Sequence, residues 1–106
     1  MKFSYLIVIT AALSASPAAL AADDGETLFK KSGCGVCHSI DKKLLGPAVK
    51  DIAAKYKDNK EAQATLEKKV RSGGAGNWGK VGMPPTQKTV SDESIKIVVQ
   101  WMLSQQ

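Results

Sequence analysis

The chain has 106 residues, a formal net charge of +5 and only two cysteines. That length is one small domain, and a core so small usually needs a disulfide, a metal or a large cofactor to hold it. The basic excess is scattered, with no run longer than two residues and no aromatic stacking platform, so a nucleic-acid surface is not expected.

The N-terminus reads as an export leader. Lys2 precedes the apolar run Leu6-Ile7-Val8-Ile9-Thr10-Ala11-Ala12-Leu13, and Ala19-Leu20-Ala21 fits the small-x-small pattern of signal peptidase sites. The run is too short to span a bilayer. The expectation is a cleaved signal peptide over 1–22, cut after Ala21 or Ala22, and a single periplasmic domain over 23–106 with no membrane insertion. Of the basic residues only Lys2 lies in that leader. The mature domain therefore stays mildly cationic, which suits transient docking to an acidic protein patch as well as plain solubility.

Four helical segments follow, with almost no strand signal, so the fold class expected is all-α. Asp23 with Glu26 three residues on resembles a capping box, opening a helix that carries Leu28 and Phe29 and ends at Gly33. Cys34 and Cys37 come directly after it. Gly46-Pro47 starts a second helix with Pro47 at its first position and Val49, Ile52, Ala53 and Tyr56 on its apolar face. Asn59 caps a third, containing Ala62, Leu66, Lys69 and Val70, which Gly73-Gly74 terminates. A long Gly- and Pro-rich connection then runs from Gly73 to Val90 and holds Trp78 and Met83. A loop of that length in so small a domain is usually functional or disordered, and its Trp and Met argue against disorder. Ser91, followed by Asp92 and Glu93, caps the last helix. There Ile95, Val98, Val99 and Met102 share one face, with Trp101 beside them.

Cys34-Gly35-Val36-Cys37-His38 is the C-x-x-C-H signature of covalent haem attachment. Two thiols at that spacing can add to the two vinyl groups on one edge of a porphyrin. The histidine directly after them is then carried under the iron, where its Nε2 can bind. Other chemistries of the pair fit less well. A thioredoxin-like dithiol needs a βαβ setting that no flanking strand supplies. A zinc site needs a fourth ligand, and His38 is the one histidine in the chain. A disulfide between Cys34 and Cys37 would close too small a loop to be a useful staple.

With no second histidine, the sixth iron ligand must be Met, Lys, a weaker donor, water or nothing. Met102 lies on the apolar stripe of the last helix and reads as core. Met83, held between Gly82 and Pro84-Pro85, reads as the ligand, the prolines stiffening the backbone that presents its sulfur. His/Met ligation raises the reduction potential and leaves no open position for substrate, which favours electron transfer over catalysis. A five-coordinate, gas-binding haem and a dithiol exchange site are the rival readings.

These residues resemble the small bacterial class I cytochromes c of the cytochrome c-551 (cytochrome c8) family. The likeness is carried by Leu28-Phe29-Lys30, Gly33 to His38, Gly46-Pro47-Ala48, Trp78-Gly79, Met83-Pro84-Pro85 and Trp101 to Gln105. It implies a class I cytochrome c fold, about four helices wrapped round one covalent haem c, with Phe29 and Trp101 near the crossing of the first and last helices. It also implies that the Pro47 carbonyl orients the His38 ring, and that Trp78 donates its indole N–H to a haem propionate. A basic residue pairs with that propionate in the family; the matching position is Lys69, which lacks the fork of an arginine, and Arg71 nearby could substitute. Relatives often carry Asn after Met-Pro-Pro, near the sulfur. Here the stretch reads Thr86-Gln87-Lys88-Thr89, slightly longer than usual, and either Thr86 or Gln87 could serve. The function implied is a monomeric periplasmic one-electron carrier between respiratory complexes and a terminal reductase, nitrite reductase among them, or an oxidase. Redox partners would dock at the exposed haem edge, steered by lysines such as Lys30, Lys31, Lys42, Lys43 and Lys80.

Overall fold

The computed structural model describes residues 11–12 and 23–106; the leader and its cleavage site fall almost wholly outside them. Four α-helices and one short hairpin make up the domain. They are α1 (Gly25–Lys31), α2 (Val49–Lys55), α3 (Ala62–Ser72), the antiparallel strands β1 (Gly74–Gly76) and β2 (Gly79–Met83), and α4 (Asp92–Leu103). Among the described residues no helix is long and apolar enough to cross a membrane.

Each helix starts for a local reason, and at three of the four the reason differs from the one expected. The cap of α1 is Asp24 rather than Asp23: its side chain accepts from the Thr27 backbone N–H at 2.8 Å. That bond holds the Asp24 carboxyl below the usual carboxylate range. Asp23 pairs instead with Lys31 at 2.7 Å, and Glu26 with Lys30 at 3.2 Å, so no capping box forms. Pro47 does not enter α2, whose N-cap is Ala48. The first two amides of α2 are satisfied through space, Val49 N–H donating to Ser39 O at 2.8 Å and Lys50 N–H to Ile40 O at 3.1 Å. Asn59 caps a turn that precedes α3, its Oδ1 accepting from Glu61 N–H at 2.9 Å. Ser91 caps α4 as expected, accepting from Ser94 N–H at 3.1 Å.

The core forms two clusters that meet on α4. Phe29, Val49, Ile52, Val98 and Met102 join α1 and α2 to α4; Val70, Ile95 and Val99 join α3 to it. The stripe of α4 divides accordingly, because Val98 and Met102 face one side of the core and Ile95 and Val99 the other. Met102 is buried in the first cluster, consistent with its reading as core. Phe29 and Trp101 pack with ring centroids 5.1 Å apart and planes tilted by 53°, a geometry suited to aromatic quadrupoles.

The α1–α4 crossing depends on a missing side chain. Gly25 is buried, and a Cβ there would run into Cβ and Cγ of Trp101. Gly25→Ala is expected to force the helices apart and cost about 1–3 kcal/mol. For a domain of this size each kcal/mol corresponds to about 4–8 °C of melting temperature, so a thermal melt of the holoprotein will show it.

Candidate functional site

The Cys34–Val36 segment is a single 3₁₀ turn, entered from α1 through Gly33 at φ 82°, a left-handed conformation that glycine adopts without strain. Cys37 N–H and His38 N–H both donate to Cys34 O, at 3.2 and 3.0 Å. The turn thus brings Cys34, Cys37 and His38 to one side, since residues three and four apart on a helical turn are neighbours. Both thiols are free and half-buried. Burial pushes the Cys34 thiol up from its usual value, the opposite of what a dithiol exchange site requires. Among the described residues no group of three or more His, Cys, Asp or Glu side chains could hold a metal ion.

The 39–48 segment folds back on this turn. Gly46 N–H donates to Cys37 O at 2.8 Å, and the two bonds from α2 to Ser39 and Ile40 close the loop behind it. As a result the Pro47 carbonyl meets His38 Nδ1 at 2.8 Å. A carbonyl can only accept, so Nδ1 carries the proton and Nε2 is left as the basic nitrogen. Gly46 lies against the imidazole so closely that a Cβ would come 2.5 Å from its Cε1 and 2.8 Å from Nδ1.

The other half of the candidate site is the Gly- and Pro-rich connection from Gly73 to Val90, in which no strand was expected. Much of it is a hairpin instead, with Gly74 opposite Met83 and Gly76 opposite Gly79, and an irregular register between Gly74 and Gly76. Periodic hydrophobic patterning could not reveal these strands, because β1 is Gly-Ala-Gly and every residue of β1 is exposed. Positive φ at Gly74, Gly76 and Gly79 is what lets the ribbon turn so tightly.

Met83 ends β2, half-buried against the Val70, Ile95 and Val99 cluster. Trp78 sits at the hairpin turn with 42% of its surface exposed. The Lys55 ammonium stands 4.6 Å from its ring centroid, a cation–π contact that sequence reading missed. The Lys69 ammonium lies beside Gly74, where a Cβ would come within 2.9 Å of Nζ. Arg71 is engaged elsewhere: it bonds Asp92 Oδ1 at 2.7 Å and the carbonyls of Gln87 and Val90. The Thr86 hydroxyl donates to Val70 O at 2.7 Å. Of the lysines expected to steer partners, Lys30 and Lys31 have carboxylate neighbours, while Lys42, Lys43 and Lys80 are exposed.

The residues present fit a haem. Among the described residues the exposed large hydrophobics are Val36, Leu44, Leu45, Trp78 and Val81, and they fall in the Cys-x-x-Cys turn, the loop before Pro47 and the hairpin. A flat apolar group is what such side chains would cover, and a histidine with Nδ1 already bonded is oriented as a metal ligand.

A mostly helical domain that sets a C-x-x-C-H turn and a methionine-bearing hairpin against the same helix, α4, has the make-up of a c-type electron-transfer domain. The Cytochrome c family model matches residues 22–106. The chain is 48% identical over 92 residues to cytochrome c-551 of Allochromatium vinosum, covering 87% of this chain and 94% of that one. It is 45% identical over 84 residues to cytochrome c-551 of Pseudomonas aeruginosa, covering 79% of each. The crystal structure of Nitrosomonas europaea cytochrome c552 superposes with a TM-score of 0.73 at 42% identity, covering 76% of this chain and 99% of that one. The chain belongs to the cytochrome c family, has the class I fold, and is a small haem c electron carrier rather than an enzyme.

Gly46 offers a direct test of how the His38 ring is held. Gly46→Ala is expected to displace the imidazole from Pro47 and lower stability by about 1–3 kcal/mol. Gly82→Ala, where a Cβ meets nothing within 4 Å, is the matched control and is expected to leave the denaturation midpoint unchanged.

Proposed function

We propose that the mature chain, 23–106, is a periplasmic carrier of single electrons whose haem c is attached through Cys34 and Cys37 and ligated by His38 and Met83. The observation that carries the reading is the 2.8 Å bond between His38 Nδ1 and the Pro47 carbonyl. It fixes the tautomer, leaves Nε2 with its lone pair for the iron, and strengthens the ring as a donor. Bound haem supplies a ferric/ferrous couple that takes up and releases one electron at a time.

The chain's own part is to hold both axial groups still, so that little rearranges between the two oxidation states. His38 is fixed by Pro47 and Gly46. Met83 is fixed by its strand pairing and by the two prolines that follow, whose φ is locked. A thioether in place of a second imidazole raises the potential. Trp78 and Lys69 are the groups proposed to meet a propionate. In that role Arg71 is the weaker candidate, because its guanidinium already has three partners.

Partners would dock over the edge bearing Cys34 and Cys37. The apolar residues Val36, Leu44, Leu45 and Val81 suit short-range contact, and Lys42, Lys43 and Lys80 suit long-range attraction to an acidic redox protein. Lys30 and Lys31 contribute less, since nearby carboxylates cancel their charge at a distance. The donor is read as a quinol-oxidising complex and the acceptor as a terminal reductase, such as nitrite reductase, or an oxidase.

The ligand reading is tested by visible spectroscopy of the holoprotein. The oxidised protein should show the weak far-red iron–sulfur band of Met ligation, lost in Met83→Ala with a fall in potential and retained in Met102→Leu. Retention of the band in Met83→Ala would move the ligand elsewhere. The docking reading is tested by stopped-flow electron transfer to an acidic acceptor, whose second-order rate should fall steadily as salt is raised from about 10 to about 500 mM, which shortens the screening length roughly sevenfold. A rate independent of salt would mean that apolar contact, not charge, brings the partners together.

A further inference from the structure

The segment that follows Met83 is fastened to the last turn of α3 at three points. Gly73, at φ 69°, ends that helix, and a Cβ on it would collide with the Met83 carbonyl oxygen and come within 2.8 Å of Pro84. One residue past the prolines, the Thr86 hydroxyl donates to Val70 O at 2.7 Å, and its amide donates to the same carbonyl at 3.2 Å. Beyond that, Arg71 Nη1 donates to Gln87 O at 3.2 Å and Nη2 to Val90 O at 2.7 Å, while Nε and Nη2 reach Asp92 Oδ1 at 3.2 and 2.7 Å.

We propose that Arg71 is a positioning residue for Met83: with Thr86 it clamps the 86–92 segment to α3 and so governs how readily the methionine sulfur leaves the iron. This rests on Met83 being the sixth ligand. The link from clamp to ligand is short and stiff. Only Pro84 and Pro85 separate Met83 from Thr86, their φ angles are locked, and Met83 and Pro84 are each restricted by the proline that follows. Rotation of the flexible side chain alone moves the sulfur only a short way; carrying it clear of the iron for an incoming ligand moves the stiff 83–86 backbone, which strains the Thr86 bonds and pulls against Gln87 and Val90.

The working part of the clamp is the pair of carbonyl bonds rather than the ion pair. The Asp92 side chain is 94% exposed and that of Arg71 30%. An ion pair so open to solvent contributes little. The bonds to Gln87 O and Val90 O hold chain that has no strand or helix to hold it, and a guanidinium can span both because its donors diverge from one plane. Lysine carries its three donors on a single nitrogen and does not reproduce the fork that reaches both carbonyls from separate nitrogens.

The experiment uses ferric holoprotein and saturating imidazole, so that the observed rate of ligand exchange is the rate at which the Met83 sulfur leaves. Global unfolding of the same samples is followed by far-ultraviolet circular dichroism in denaturant. Arg71→Lys is expected to exchange about tenfold faster than the wild type, the scale of losing a hydrogen bond from a charged donor, with a much smaller change in the unfolding equilibrium. Arg71→Gln should exchange at least as fast, Thr86→Val should also accelerate exchange, and Asp92→Asn should stay near the wild-type rate. Unchanged exchange in both Arg71 variants would overturn the clamp while leaving Met83 as ligand. Acceleration matched by an equal factor in the unfolding equilibrium would also overturn it, reducing Arg71 to a general stabiliser. Asp92→Asn exchanging as fast as Arg71→Lys would overturn the assignment to the carbonyl bonds. A wild-type protein lacking the far-red band would remove the ligand reading and the clamp together.

Discussion

Both halves of this molecule hang on α4. Its Val98 and Met102 close the cluster that contains Phe29, Val49 and Ile52, and its Ile95 and Val99 close the cluster that contains Val70. The first cluster supports the Cys34–His38 turn, since α1 leads directly into it and Cys34 itself packs there. The second supports Met83, which lies against it. One helix with two apolar faces, displaced by a single residue in their spacing, is therefore what keeps the His38 turn and Met83 in a common frame. A domain of this size has no second layer to share that task, and its buried hydrophobics are mostly Val, Ile and Ala.

The two halves are held by different means. On the histidine side the constraint is a chain of backbone bonds. Gly46 to Cys37, Val49 to Ser39 and Lys50 to Ile40 wrap the 39–48 loop until the Pro47 carbonyl has no other place than against His38. The amides of α2 that would otherwise be unpaired are the source of two of those bonds, so starting a helix and aiming an imidazole are one structural event. On the methionine side the backbone makes fewer regular bonds. A glycine-rich ribbon, two prolines and the side chains of Thr86 and Arg71 take their place. That difference suits the proposed ligation, in which the imidazole is the firmer ligand and the thioether the weaker one.

Surface charge is arranged unevenly around these two halves. Exposed ion pairs such as Glu26–Lys30 and Asp23–Lys31 contribute little to stability. Their larger consequence is for the shape of the field, because they mute the basic end of α1 while Lys42, Lys43 and Lys80, close to Leu44, Leu45 and Val81 in the chain, stand without a carboxylate partner among the described residues.

The amino-acid sequence by itself determined the chemistry and the number of helices. C-x-x-C-H followed by no other histidine restricts the cofactor and the iron ligands through covalent and coordination chemistry, which spacing along the chain already expresses. Apolar spacing in α4 and in α2 named core positions that prove buried, apart from Tyr56, which is half-buried at the end of α2, because helical periodicity is a local property. What only the tertiary structure decided were the contacts made between segments distant in sequence. Asp24 rather than Asp23 caps α1 since Lys31 takes the other carboxylate, and Pro47 stays outside α2 since Ser39 and Ile40 supply its cap. The Gly74–Met83 hairpin carries no alternating pattern and arises from glycine conformations closed by pairing across the turn. Arg71 and Thr86 were legible as polar residues near the candidate site, but which partners they chose depended on where the 86–92 segment came to lie against α3. Local periodicity and bond-forming motifs survive in one dimension; satisfaction of backbone polar groups is settled only when the chain has folded upon itself.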